Sequence, residues 1–181
     1  MDPWVKNKGL CIWLTGLPCS GKTTIAQKLS EELKKKGYEV RLFDGDEVRR
    51  TISKDLGFSR EDRIENMLRV ATLAQEYVLK GYITICALVS PYRDTREKIR
   101  RMFPNNSFIE VYIDAPLEVC ESRDVKGLYK KAREGIIKNF TGITDPYEPP
   151  ENPEVHLRTD MLKVEDCIGI LLDFIKNKLL I

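Results

Sequence analysis

The sequence predicts an α/β fold, a three-layer arrangement in which a parallel sheet is flanked on both faces by helices. Two observations lead there. Short apolar runs alternate with helix-length amphipathic stretches, and 181 residues suffice for one sizeable core with little room for a second. The whole chain, 1–181, is therefore read as a single domain. Residues 10–14, 40–43, 82–89 and 108–113 are apolar and short enough to be buried strands. Helices are expected at 22–36, 61–79 and 164–178. The middle one is the clearest, because Ile64, Met67, Leu68, Ala71, Ala74 and Val78 recur at helical spacing. Parallel strands joined by crossover helices carry their ligands beyond the carboxyl ends of the strands, so the loops after Leu14, Phe43 and Val89 are the candidate site loops. Residues 145–153 hold too many prolines for a helix or a central strand and are expected as an ordered connector before a last strand at 155–157.

Composition narrows the function classes. The chain is 42% hydrophobic and 32% charged, with 30 Lys and Arg against 28 Asp and Glu, which excludes intrinsic disorder. The basic residues are interleaved with acids, so binding of nucleic acid by bulk charge is excluded; the pairs Arg49-Arg50, Arg100-Arg101 and Lys130-Lys131 are scattered. No run approaches the roughly 20 apolar residues of a membrane span, and Met1-Asp2-Pro3-Trp4 lacks the basic and apolar regions of a signal peptide. No membrane role and a cytoplasmic location are expected. Cys11, Cys19, Cys86, Cys120 and Cys167 form no CxxC pair and read as buried thiols, and the one histidine, His156, argues against histidine-based zinc or triad chemistry.

The strongest motif is Gly16-Leu17-Pro18-Cys19-Ser20-Gly21-Lys22-Thr23, which satisfies G-x-x-x-x-G-K-[ST] between a buried strand and an amphipathic helix. Two glycines let the backbone wrap so that successive N–H groups face phosphate oxygens at a helix N-terminus. Lys22 then bridges the β- and γ-phosphates and Thr23 ligates Mg²⁺. A glycine-rich turn that contains GKT by chance is the plain alternative, and the strand-loop-helix context weighs against it. ATP and Mg²⁺ are the implied cofactors. No Asn-Lys-x-Asp guanine signature follows, so a small-molecule kinase is favoured over a GTPase switch, and the fold is expected to be of phosphate-loop kinase type.

Asp44-Gly45-Asp46 closes the second strand. Alone, it serves equally well as a turn with a helix cap or as a carboxylate that takes Mg²⁺ or an acceptor proton. Farther on, Arg63 and Asn66 lie at i, i+3 on one helical face after a Gly57-Phe58 loop. The residues as a set resemble the adenylylsulfate kinase family. The resemblance rests on the phosphate loop, 42–46, 55–66, Ser90-Pro91-Tyr92-Arg93, 108–123, the Lys-rich segment 126–133, Phe140-Thr141-Gly142 and 145–153. It runs from about residue 10 to 160.

That resemblance implies transfer of the ATP γ-phosphoryl group to the 3′-hydroxyl of adenosine 5′-phosphosulfate. Residues 16–24, including Thr24, hold the nucleotide. Phe58 and Phe140 resemble a pair that sandwiches the acceptor adenine, with two core phenylalanines as the alternative. Arg49, Arg63 and Asn66 suit the phosphosulfate, whose tetrahedral oxyanions match a guanidinium fork. Val89 and Asp46 align with substrate-contacting positions, and Lys126 opens a segment that looks like a lid, within about 123–142. Asp44 resembles the carboxylate that engages Mg²⁺ and the acceptor hydroxyl; it is preferred as base because Asp46 suits a cap on the following helix. Ser90 aligns with a position sometimes assigned as a phosphoserine intermediate. With no histidine to activate it, direct transfer with Ser90 lining the site is expected, and its place before Pro91 also suits a helix cap. Glu47, where the family commonly has Asn, and Cys19-Ser20 inside the loop depart from the pattern. A homodimer is expected from the resemblance alone. Another small-molecule kinase of this fold and a nucleotide-dependent binding module are the alternatives, separated by acceptor-dependent ADP release.

Overall fold

The computed structural model describes residues 8–104 and 106–179; residues 1–4, considered above for targeting, lie outside them. Strands β1 (Leu10–Thr15), β2 (Val40–Asp44), β3 (Ile83–Ala87), β4 (Phe108–Asp114) and β5 (Val155–Arg158) form one sheet in the order β2-β3-β1-β4-β5, with every neighbouring pair parallel. From β1 the chain returns to one side of the sheet, and from β4 to the other. The crevice that opens where this order reverses is where open parallel sheets bind ligands.

The helices are α1 (Lys22–Lys35), α2 (Gly45–Arg50), α3 (Arg60–Leu79), α4 (Arg93–Met102), α5 (Leu117–Arg123), α6 (Leu128–Arg133) and α7 (Val164–Leu179). Alternation along β1 assigns the two faces of the sheet. Leu10, Ile12 and Leu14 pack with Ile25 and Leu29 of α1 and Leu171 and Ile175 of α7, while Cys11 and Trp13 pack with Met67, Val70 and Ala74 of α3. Removing one such side chain, as in Leu14→Ala, costs about 2–5 kcal/mol. A third, smaller cluster of Ala115, Cys120, Tyr129, Ala132 and Phe140 lies outside the sheet and takes in Leu17 and Cys19 from the loop after β1.

The expected strand at 82–89 is shorter in the structure. Ser90 adopts φ 50°, which is incompatible with extended chain, and the residues before it turn toward β1. There, Val89 O accepts from Thr15 Oγ1 at 2.7 Å and from Gly16 N at 3.4 Å. The proline-rich segment 145–153 is irregular, as expected. It is tied down by Arg96 of α4, a side chain 1% exposed, whose guanidinium donates to Ser90 O (2.5 Å), Glu148 O (2.5 Å) and Glu110 Oε2 (3.1 Å). Burial pushes the Glu110 carboxyl above its usual value while Arg96 and Arg100 oppose the shift. All five thiols are free; four are buried and Cys19 is partly exposed. Among the described residues no helix is long and apolar enough to cross a membrane.

Candidate active site

The phosphate loop leaves β1 and turns into α1. A side chain at Gly16 would place Cβ 2.3 Å from Ile113 O, so only glycine lets the loop pass this close to β4. Lys22 folds back over the loop. Its Nζ donates to Gly16 O and Leu17 O, both at 2.8 Å, and burial lowers its pKa from 10.5 to about 8. An ammonium held on two carbonyls at the loop's centre is poised to exchange them for phosphate oxygens. Thr23, exposed in the first turn of α1 beside Thr24, donates through Oγ1 to Asp44 Oδ1 at 2.7 Å. The carboxylate at the end of β2 is thus joined to the phosphate loop.

The other oxygen of Asp44 accepts from Asp46 N at 3.3 Å, which makes Asp44 the N-cap of α2. The expectation that Asp46 caps this helix is corrected: with the helix beginning at Gly45, Asp46 lies inside its first turn and its carboxylate pairs with Lys126 of the segment between α5 and α6. Arg49 of α2 donates to Gly57 O at 2.6 Å and stands 4.6 Å from the ring centre of Phe58. Burial, and then the nearby Arg63, lower the pKa of Arg49, so an anion here relieves two cations of each other.

Arg63 of α3 is the junction of the acceptor side. It donates to Phe58 O (3.0 Å), Thr141 Oγ1 (2.9 Å) and Asn139 O, and lies 3.8 Å from Asp145. It thereby brings Phe58 and the segment around Phe140 to one place, three of its donors being used on the protein itself. The two phenylalanines differ. Phe58 is 58% exposed, so a core role is excluded for it. Phe140, 9% exposed, packs edge-on to Tyr129 in the third cluster. Asn66, one turn along α3, is buried with its Oδ1 lacking a hydrogen-bond partner, a condition that costs about 1–3 kcal/mol unless a ligand relieves it. A cavity of about 350 Å³ lined by Ser59, Arg60, Tyr92, Asn139, Asp145 and Pro146 opens next to these groups.

Residues 8–158 match the family model described as adenylylsulphate kinase. The chain belongs to the adenylylsulfate kinase family. It is 50% identical over 172 residues to the adenylyl-sulfate kinase of Halothermothrix orenii, covering 95% of this chain and 92% of that one. Among solved structures it resembles the Mycobacterium tuberculosis APS kinase CysC in complex with AMPPNP and APS, at 36% identity and a TM-score of 0.89, over 93% of this chain and 98% of that one. It also resembles a hexameric APS kinase from Thiobacillus denitrificans, at 29% identity and a TM-score of 0.73, over 97% of this chain and 30% of that one. The chain is accordingly a kinase of the phosphate-loop fold.

Ser90 is held in place by its neighbours. Its Oγ accepts from Trp13 Nε1 at 2.9 Å and donates to Leu88 O at 3.2 Å, with the residue 2% exposed. It does not cap a helix, since α4 starts at Arg93 with Tyr92 at the cap position. Cys19 adopts φ 62°, a conformation that costs a non-glycine residue about 1–2 kcal/mol. Three residues that sequence reasoning passed over support the site from behind. Arg96 holds the Ser90 carbonyl, Tyr129 OH donates to Pro18 O at 2.7 Å, and Thr159 Oγ1 donates to Ser20 O at 2.5 Å. Arg123, read only as part of the lid, donates to the carbonyls of Cys19, Ser20 and Thr159. Tyr129 lay in plain sight inside the Lys-rich segment; for a buried arginine such as Arg96 the sequence carries no local signal.

Proposed function

We propose that this chain transfers the γ-phosphoryl group of ATP to the 3′-hydroxyl of adenosine 5′-phosphosulfate, producing 3′-phosphoadenosine 5′-phosphosulfate and ADP. The observation that carries this reading is the Thr23–Asp44 hydrogen bond, which joins the phosphate loop to the carboxylate at the N-cap of α2, the helix that carries Arg49. The acceptor oxygen attacks the γ-phosphorus in line as the bond to the β-phosphate oxygen breaks, and Asp44 takes the hydroxyl proton. Lys22 supplies positive charge beside the moving group. The Thr23 hydroxyl and the Asp44 carboxylate are hard oxygen donors that fit Mg²⁺, which takes one or two protein ligands and completes its shell with phosphates and water. Bound there, the ion would neutralise charge on the β- and γ-oxygens.

On the acceptor side, Phe58 and Phe140 flank the adenine, Arg49 and Arg63 pair with the phosphosulfate, the Asn66 amide N–H₂ adds a neutral donor, and Val89 and Ser90 line the wall beneath. The lid is proposed at about 123–142; Tyr129 and the Phe140 segment stay packed on the phosphate loop, and the exposed Lys126 exchanges Asp46 for the acceptor. A homodimer and a cytoplasmic location complete the reading; five free thiols agree with a reducing compartment.

The deciding assay measures ADP release with ATP, Mg²⁺ and a panel of acceptors. Turnover is expected with adenosine 5′-phosphosulfate, and its loss in Lys22→Ala. Equal turnover with AMP, or none with the sulfated nucleotide, overturns the reading.

A further inference from the structure

We propose that Tyr129 is a positioning residue that couples nucleotide binding in the phosphate loop to acceptor binding at Phe140. The proposal rests on the functional reading above, in which the loop holds ATP and Phe140 touches the acceptor base. Tyr129 is fully buried, and its two ends address the two subsites. Its hydroxyl donates to Pro18 O at 2.7 Å, and its ring meets Phe140 edge-on with centroids 4.9 Å apart and planes at 77°.

The phosphate-loop end of this link is chemically specific. Pro18 O and the Cys19 N–H belong to one rigid peptide plane. Fixing the carbonyl from behind therefore fixes the direction of an N–H that a phosphate-binding loop turns toward its anion. The middle is stiff as well. Asp124 accepts from Tyr129 N (2.9 Å) and Lys130 N (3.0 Å), anchoring the start of α6. Leu17 and Cys19 pack into the same cluster as Tyr129 and Phe140. A second contact runs in parallel: at Gly142, φ 93°, a Cβ would lie 2.9 Å from Leu17 Cδ2, so the segment that carries Phe140 rests directly on the loop.

A purely structural aromatic at this place needs no hydroxyl, because phenylalanine fills the cluster without burying a polar group. The hydroxyl's bond to Pro18 O serves the loop. Nucleotide that orders the Pro18–Cys19 plane holds the phenol, the phenol holds the ring against Phe140, and by linkage the acceptor favours the nucleotide by the same factor.

The test is calorimetric titration of AMPPNP, which does not transfer its phosphoryl group, into protein alone and into protein saturated with adenosine 5′-phosphosulfate. It is run on the wild type, Tyr129→Phe and Phe140→Leu. In the wild type the acceptor should tighten AMPPNP binding. In Tyr129→Phe that tightening should shrink by about fivefold, the factor of one net hydrogen bond. Wild type without tightening, or Tyr129→Phe with all of it, overturns the proposal. Phe140→Leu identifies which idea has failed: if it leaves acceptor affinity intact, the placement of the acceptor is wrong, whereas weakened acceptor binding beside undiminished coupling in Tyr129→Phe condemns the coupling alone. Melting temperatures of all three proteins exclude loss of fold as the cause.

Discussion

The Thr23 hydroxyl donates to Asp44 Oδ1 across 2.7 Å, and the same carboxylate caps α2 through Asp46 N. One side chain thus performs a structural and a chemical task, and substitutions separate them. Asp44→Asn keeps a good cap, so stability should fall by less than about 1 kcal/mol, whereas Asp44→Ala should lose about 1 kcal/mol. Both lack the carboxylate, and kcat should drop by roughly 10²–10⁴ in each. Steady-state rates beside thermal melts check this; an Asp44→Asn enzyme within a few fold of wild type removes Asp44 from the base role.

Lys22 makes the site sensitive to pH. In the nucleotide-free protein its pKa is lowered by burial to about 8, against 10.5 ordinarily, and the phosphates of a bound nucleotide raise it again. Binding should therefore take up a proton above pH 8 and weaken by up to about tenfold per pH unit there. Calorimetry in two buffers of different ionisation enthalpy reads the uptake directly. For stability the sign is opposite. The unfolded chain keeps this proton to about 10.5, so between 8 and 10.5 the unfolded state binds more protons and the contribution of this group to stability of the nucleotide-free protein rises with pH. Lys22→Met should abolish both effects.

The sheet was legible because its strands are apolar runs, and α3 because its buried side is periodic over 20 residues. The helices α2, α5 and α6, at six or seven residues, are too short to show a period. Helix α4 is hidden for another reason: it buries Arg96 against Glu110, so its inward side reads as charged. The phosphate loop announced itself by spacing, whereas the roles of Asp44 and Asp46 turned on where α2 begins, a matter of one residue. That Arg63 spends donors on the Phe58 and Asn139 carbonyls depends on loops far apart in the chain, which no local pattern records.

Phe58 and Phe140 should respond differently to truncation. Phe58 is exposed beneath Arg49, so Phe58→Ala should leave the melting temperature within a few degrees of wild type and weaken acceptor binding by about 1–3 kcal/mol through lost stacking. Phe140 sits in the third cluster, and Phe140→Ala should weaken acceptor binding and also cost up to about 3–5 kcal/mol of stability. Acceptor titrations paired with denaturant melts resolve the two terms. A Phe58→Ala protein that melts early yet binds the acceptor normally contradicts the stacking assignment.

Ser90 supplies the last prediction, between direct transfer and a phosphoserine route. A covalent route needs a nucleophile that a base can deprotonate and that can swing to the γ-phosphorus. The Ser90 hydroxyl instead accepts from Trp13 Nε1 and donates to Leu88 O, and its backbone carbonyl is held by Arg96. Among the described residues, no carboxylate or imidazole is a partner of its hydroxyl. Direct in-line transfer requires only that Lys22, Thr23 and Asp44 be placed, and these stand together at the phosphate loop. Ser90→Ala should therefore retain substantial activity. It should also lose about 1–3 kcal/mol of stability, because the buried Trp13 N–H is left without an acceptor. Ser90→Gly should lose less, since glycine relieves the residue's positive φ of 50°. Mass spectrometry of wild type incubated with ATP and no acceptor completes the test. Phosphate on Ser90 that forms as fast as turnover, together with an inactive but folded Ser90→Ala, would establish the covalent route and reject direct transfer.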